Sequence, residues 1–222
     1  MQRRTTPFSL FLIMLLACGI GLCGIMFWQR GRPFAHLPIL LSGQARPPAK
    51  NFRERLAYAA EDIVDPSIVY DPAYTSIPYP NGDIPRSRGV CADVIIRAYR
   101  RCGVDLQVLV HEDMCRHFRA YPHNWGLHRP DPNIDHRRVY NLATFFTRHG
   151  VTLRCTQRGA DYHPGDIVVW RVENQGHIGI VSTQRTAAAT RYMMVHNIGA
   201  GQVLEDMLFS YPIIGHYQYA PR

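Results

Sequence analysis

The stretch RGVCADVIIRAYRRCG, residues 88–103, decides how the rest of the chain is read. Val90, Val94, Ile95, Ala98 and Cys102 recur at helical spacing with arginines between them, and Gly103 stands where such a helix closes. Cys91 therefore falls in the first turn of an amphipathic helix. There the free backbone N–H groups and the positive end of the helix dipole favour a thiolate, so a thiol pKa below the ordinary value of roughly 8.5 is expected. A free cysteine is also a common small buried residue. This stretch alone leaves both readings open.

Toward the N-terminus the composition changes sharply. Phe8 to Trp28 is an uncharged run of 21 residues, preceded by Arg3 and Arg4 and followed by Arg30 and Arg32. That length crosses a bilayer core and exceeds a usual signal-peptide core, so residues 8–28 read as one transmembrane anchor after a short segment, 1–7. Leu15-Leu16-Ala17-Cys18 also resembles a lipobox, which would anchor a cleaved lipoprotein through Cys18. The apolar run continues for ten residues beyond Cys18, which favours the uncleaved anchor. Either reading places the remainder outside the cytoplasm, and an inner-membrane, single-pass protein with a periplasmic domain is expected. Residues 29–50 are a Pro- and Gly-containing linker, and residues 51–222 are the folded domain.

The net charge is +8, and Lys50 is the one lysine among 25 basic residues. Such a surface suits anionic lipid or an acidic polymer of the cell wall. No nucleic-acid partner is expected, because no basic run interleaves with aromatics and no nucleic-acid-binding motif occurs. No CxxC and no compact helical histidine pair is present, so neither a metal nor a cofactor is expected. In an oxidising compartment two of Cys102, Cys115 and Cys155 are candidates to pair.

Phe52 to Ile63 reads as a first helix, YDPAYTSIPYPNGDIP as loop, Glu112 to Phe118 as a short helix, and Asn141 to His149 as another with Asn141 as N-cap and Gly150 beyond its end. After Gly150 the period changes. Ile167 to Trp170, His177 to Ser182, Tyr192 to His196 and Gly215 to Tyr219 are short apolar or alternating runs between turn residues. Helices first and strands later define an α+β domain, N-terminal helices packed on a C-terminal antiparallel sheet.

A cysteine nucleophile needs a base and a third group to hold that base. In GDIVVWRVENQGHIGIV, residues 165–181, His177 stands at a strand start, and His196 or Asn197 on the following strand is placed to orient it. Successive residues of a strand point to opposite faces, so only one of that pair serves.

This order, with the phrases RGVCADV, LVHEDM, NIDHRRV, PGDIVVW, HIGIVS and HNIG, resembles the NlpC-type papain-like cysteine peptidases, and within them a bacterial family of unknown function, over about residues 52–219. The resemblance implies a papain-like NlpC-type fold and a hydrolase of amide bonds in peptidoglycan stem peptides, endopeptidase or amidase. It implies Cys91 as nucleophile, His177 as base and His196 as orienting residue. Asp135, His136 and Arg137 are candidate substrate contacts, and Tyr79 a candidate wall of the cleft, as a tyrosine is in NlpC-type enzymes. Val90, Ala92 and Asp93 depart from the Asp-Cys-Ser-Gly pattern of that superfamily. A non-catalytic envelope-binding module of the same fold and a thiol-dependent acyltransferase are the alternatives.

Overall fold

The computed structural model describes residues 46–123, 126 and 128–221; the transmembrane anchor and most of the linker expected from sequence lie outside them. Four helices precede most of the strands: α1 (Phe52–Glu61), α2 (Cys91–Arg101), α3 (Leu106–His117) and α4 (Val139–His149). A parallel pair of two-residue strands, β1 (Val69–Tyr70) and β2 (Arg88–Gly89), lies just ahead of α2. Then come β3 (Val151–Thr152), β4 (Ile167–Val172), β5 (Gln175–Arg185), β6 (Tyr192–His196), β7 (Val203–Glu205) and β8 (Ile213–Gln218). They form one antiparallel sheet in the order β3-β8-β4-β5-β6-β7. The domain is α+β.

Two apolar clusters sandwich that sheet. Ile167, Val169, Ile178, Ile180 and Val195 face the helices, packing on Leu56, Ile95, Val110 and Phe146 among others. Val168, Trp170, Val181 and Met194 point the other way onto Tyr162, Met207 and Leu208. Burial on both faces explains why β4 reads IVVW, without polar alternation. Buried Glu61 fastens α1 to β5: its Oε1 accepts from Ser182 Oγ at 2.6 Å, Thr183 N at 2.7 Å and Thr183 Oγ1 at 2.7 Å.

Three polar side chains hold the approach to Cys91. Arg97 donates to the Arg88 carbonyl at 2.9 Å and to Gln202 Oε1 at 2.9 Å. Asn197 donates to the Gly89 carbonyl at 3.2 Å. Arg137 grips Asp93 in a two-pronged pair, Nε to Oδ1 at 2.9 Å and Nη2 to Oδ2 at 3.0 Å, and both side chains are 2 % exposed. Asp93 Oδ2 in turn accepts the Val90 N–H at 2.7 Å, a carboxylate capping a helix start whose N-cap residue has no acceptor of its own.

Some boundaries differ from the sequence reading. α3 begins six residues before Glu112, because the Asp105 side chain accepts the Gln107 N–H and caps it. α4 begins at Val139, so Asn141 is not its N-cap; its amide donates instead to the Asp135 carbonyl at 3.0 Å from inside the helix. Cys91, Cys102, Cys115 and Cys155 are all free thiols, so no pair expected among the last three is formed: they sit at the end of α2, within α3, and between β3 and β4.

Candidate active site

Cys91 is the first residue of α2 and 4 % exposed. The backbone N–H groups of Ile178, of Ala92 and of Cys91 itself lie close enough to its sulfur to favour the thiolate form. The thiol therefore lies beside β5, one residue from His177, at the level where β6 has ended and Asn197 has turned to hold Gly89. Along β5 the alternation that sends Ile178 and Ile180 to the helices puts His177 and Gly179 on the opposite face. The His177 ring lies 5.6 Å from that of Trp170 there.

His177 Nε2 and His196 Nδ1 are 3.2 Å apart, with the two rings nearly perpendicular. With Nε2 engaged, Nδ1 is the other ring nitrogen of His177. When Nδ1 carries no hydrogen, His177 Nε2 is the donor to His196 and the hydrogen of His196 lies on its own Nε2. That nitrogen is buried without a hydrogen-bond partner, and Glu205 Oε2 stands 3.9 Å away. Gly179 makes room for this arrangement: a Cβ there would lie 2.9 Å from the Val195 carbonyl oxygen and 3.1 Å from His196 Cβ.

Burial sets the protonation states. It pushes the Cys91 thiol up to about 12, aided by the Asp93 carboxylate and opposed by the three N–H donors. It pushes His177 down to about 4, and His196, next to His177, down to about 3. Thiol and imidazoles are all neutral at rest, and the low thiol pKa expected from the helix terminus is corrected: desolvation outweighs the dipole once the sulfur leaves solvent.

These shifts carry a stability consequence. His177, His196 and equally buried His136, which burial lowers to about 4, all have folded values below the unfolded one of about 6.5. As pH falls below that value the unfolded chain takes up protons that the folded chain refuses. The contribution of each site is complete above pH of about 6.5 and drains by about 1.4 kcal/mol per pH unit down to its folded value. Melting temperature should fall steadily from pH 7 to pH 5; an unchanged value across that interval contradicts the neutral buried imidazoles.

A cleft of about 520 Å³ opens beside the thiol. Tyr70, Tyr74 and Tyr140 supply its aromatic surface, Arg137 and Arg138 its positive charge, and Asn174 and Gln175 its amides. Of the candidate contacts named from sequence, Arg137 lines it. Asp135 and His136 are buried at 0 % and 1 % exposure and do not. Tyr79 is also elsewhere, half exposed with its ring edge-on to His111 at 5.4 Å. Tyr70 occupies the position by the nucleophile instead: burial first, then Cys91 and Asp93, push its hydroxyl up to about 12. Asn197 is used up structurally, since its Oδ1 accepts the Gly199 N–H at 3.0 Å while its amide holds Gly89.

The class defined here is an α+β domain that carries a buried thiol and a hydrogen-bonded histidine pair on the rim of an antiparallel sheet. The chain belongs to the family described as Domain of unknown function (DUF1287), whose model matches residues 57–219. The uncharacterized protein YijF of Escherichia coli (strain K12) is 50 % identical over 165 residues, covering 74 % of this chain and 80 % of that one. Among solved structures, NlpC1 from Trichomonas vaginalis superposes with a TM-score of 0.44 at 15 % identity, over 80 % of this chain; the chain spans 47 % of that protein's length.

Proposed function

We propose that this protein is a cell-envelope cysteine hydrolase of the NlpC-type papain-like kind that cleaves amide bonds of peptidoglycan stem peptides, with Cys91, His177 and His196 as its catalytic relay. The observation that carries the reading is the buried His177–His196 contact, set one residue along β5 from the amide that holds the Cys91 sulfur. In this reading the His177 ring, which in the structure lies toward Trp170, comes round the β5 rim to take the thiol proton as the sulfur attacks the substrate carbonyl, so charge develops only as the bond forms. N–H groups at the start of α2 are on hand for the oxyanion. His177 then protonates the leaving amine, and water releases the acyl group by the reverse use of the same base. His196 holds the tautomer. The cleft's tyrosines, amides and arginines suit a polar peptide with free carboxylates.

The same reading has the domain in the periplasm, tethered to the inner membrane by residues 8–28 and so within reach of the wall. Incubating purified peptidoglycan with the full chain and weighing the released fragments tests the reading. Stem peptides shortened at one amide bond, with one water gained, are expected; a wall left intact contradicts it. Gly179→Ala is expected to lower turnover by about tenfold or more, since its Cβ pushes directly on His196 and the Val195 carbonyl. Unchanged turnover in a folded Gly179→Ala variant removes His196 from the relay.

A further inference from the structure

A second thiol carries its own base, away from the Cys91 cleft. Cys115 is exposed on α3, and its sulfur lies 3.6 Å from His111 Nε2, one helical turn back. The other ring nitrogen, Nδ1, is 2.9 Å from Asp135 Oδ2, and Asp135 is fully buried. Asp135 is itself fixed, because the same oxygen accepts the Asp131 N–H at 2.8 Å. The carboxylate thus holds the His111 hydrogen on Nδ1 and leaves Nε2 with its lone pair toward the thiol. Cys–His–Asp is the order of a nucleophile, its base and the group that orients the base. None of the three lines the cleft beside Cys91.

We infer that Cys115, His111 and Asp135 form a second reactive-thiol centre, a site of mixed-disulfide formation with low-molecular-weight disulfides. In the exchange the Cys115 sulfur attacks one sulfur of the small disulfide while its proton passes to His111 Nε2. The new S–S bond forms as the old one breaks, and the leaving thiolate takes the electron pair and then the proton from His111. Cys115 is oxidised and half of the small disulfide is reduced, so the step balances without another reactant. Burial and the Asp135 carboxylate push the Cys115 thiol up. Its reactivity therefore depends on the base rather than on standing thiolate. The groups facing this pair are Asp135 and Asp131 from the loop before α4, the Tyr79 ring, and Glu112 and Arg116 on α3.

Cys155 is the internal control, an exposed free thiol with no imidazole bonded to it. The full chain is incubated with oxidised glutathione at neutral pH, and the adduct on each cysteine is followed by peptide mass. Cys115 should react at least about tenfold faster than Cys155. His111→Asn should bring Cys115 within about twofold of Cys155 and leave Cys155 unchanged. Equal rates at the two thiols in the unaltered chain overturn the inference even if the variant fails to fold. None of these readouts depends on the activity of Cys91.

Discussion

Cys91→Ala should abolish turnover of peptidoglycan fragments, a loss of about 10⁴-fold or more, because alanine has no sulfur to form the acyl intermediate. The variant should fold, since alanine removes one buried sulfur and adds no strain. His177→Ala should be nearly as damaging, and the two losses should not add, because nucleophile and base act in one step. His196→Ala should retain more activity than either, since His196 touches only the base. Rates for the three variants and for Asn197→Ala, with melting temperatures alongside, check this order. A more severe loss from Asn197→Ala than from His196→Ala, in folded protein, transfers the orienting role to Asn197 against the contacts described above.

The second large effect is on stability. Arg137→Met leaves the Asp93 carboxylate buried without its guanidinium, and breaking such a pair from one side costs about 3–5 kcal/mol. Arg137→Lys keeps the charge and loses the two-pronged geometry, so it should fall between. Asp93→Asn combined with Arg137→Met should cost less than the sum of the single changes, because the double variant has no unpaired charge. Denaturant unfolding of the three variants and the double variant measures this. A loss below about 1 kcal/mol for Arg137→Met contradicts the picture of α2 clamped at its first turn.

Arg137 also shows where sequence reading stops. Asp135, His136 and Arg137 were read together as loop residues facing substrate, because clustered charges in a polar segment are ordinarily solvated. In the fold they part company: Asp135 turns in to His111, His136 is enclosed, and only Arg137 reaches the cleft while holding Asp93. That division depends on which helix covers the segment. α3, α4 and α2 all cover it, and no local pattern in NIDHRRV records them.

The helix at Cys91 and the longer strands were legible because their apolar residues repeat over enough turns or alternations to be seen. β1, β2, β3 and β7 were not, at two or three residues each, too short for any period. The missed β1–β2 pair explains the tyrosine. Tyr70 is paired with Gly89, two residues before the nucleophile, and is thereby carried to the cleft. Tyr79, nearer in sequence, is carried to His111 instead. Glu205, 3.9 Å from His196, was equally hidden, for it sits on β7, which returns beside β6 only through the antiparallel register.

The resting protonation state could not be read from the position of Cys91 at a helix start, because a dipole worth about 1 kcal/mol competes with a burial that sequence does not report. It also separates two mechanisms that share the same three residues. A preformed thiolate–imidazolium pair gives a bell-shaped profile of kcat/KM against pH, with activity falling as the imidazolium loses its proton above neutrality. A neutral relay requires only that the histidine pair be unprotonated, and burial holds His177 down at about 4 and the thiol up at about 12. The pH profile of kcat/KM on a purified stem-peptide fragment is the most direct measurement: the neutral relay predicts a rise complete by about pH 6 and a plateau through pH 9, whereas a falling limb between pH 7 and pH 9 contradicts it.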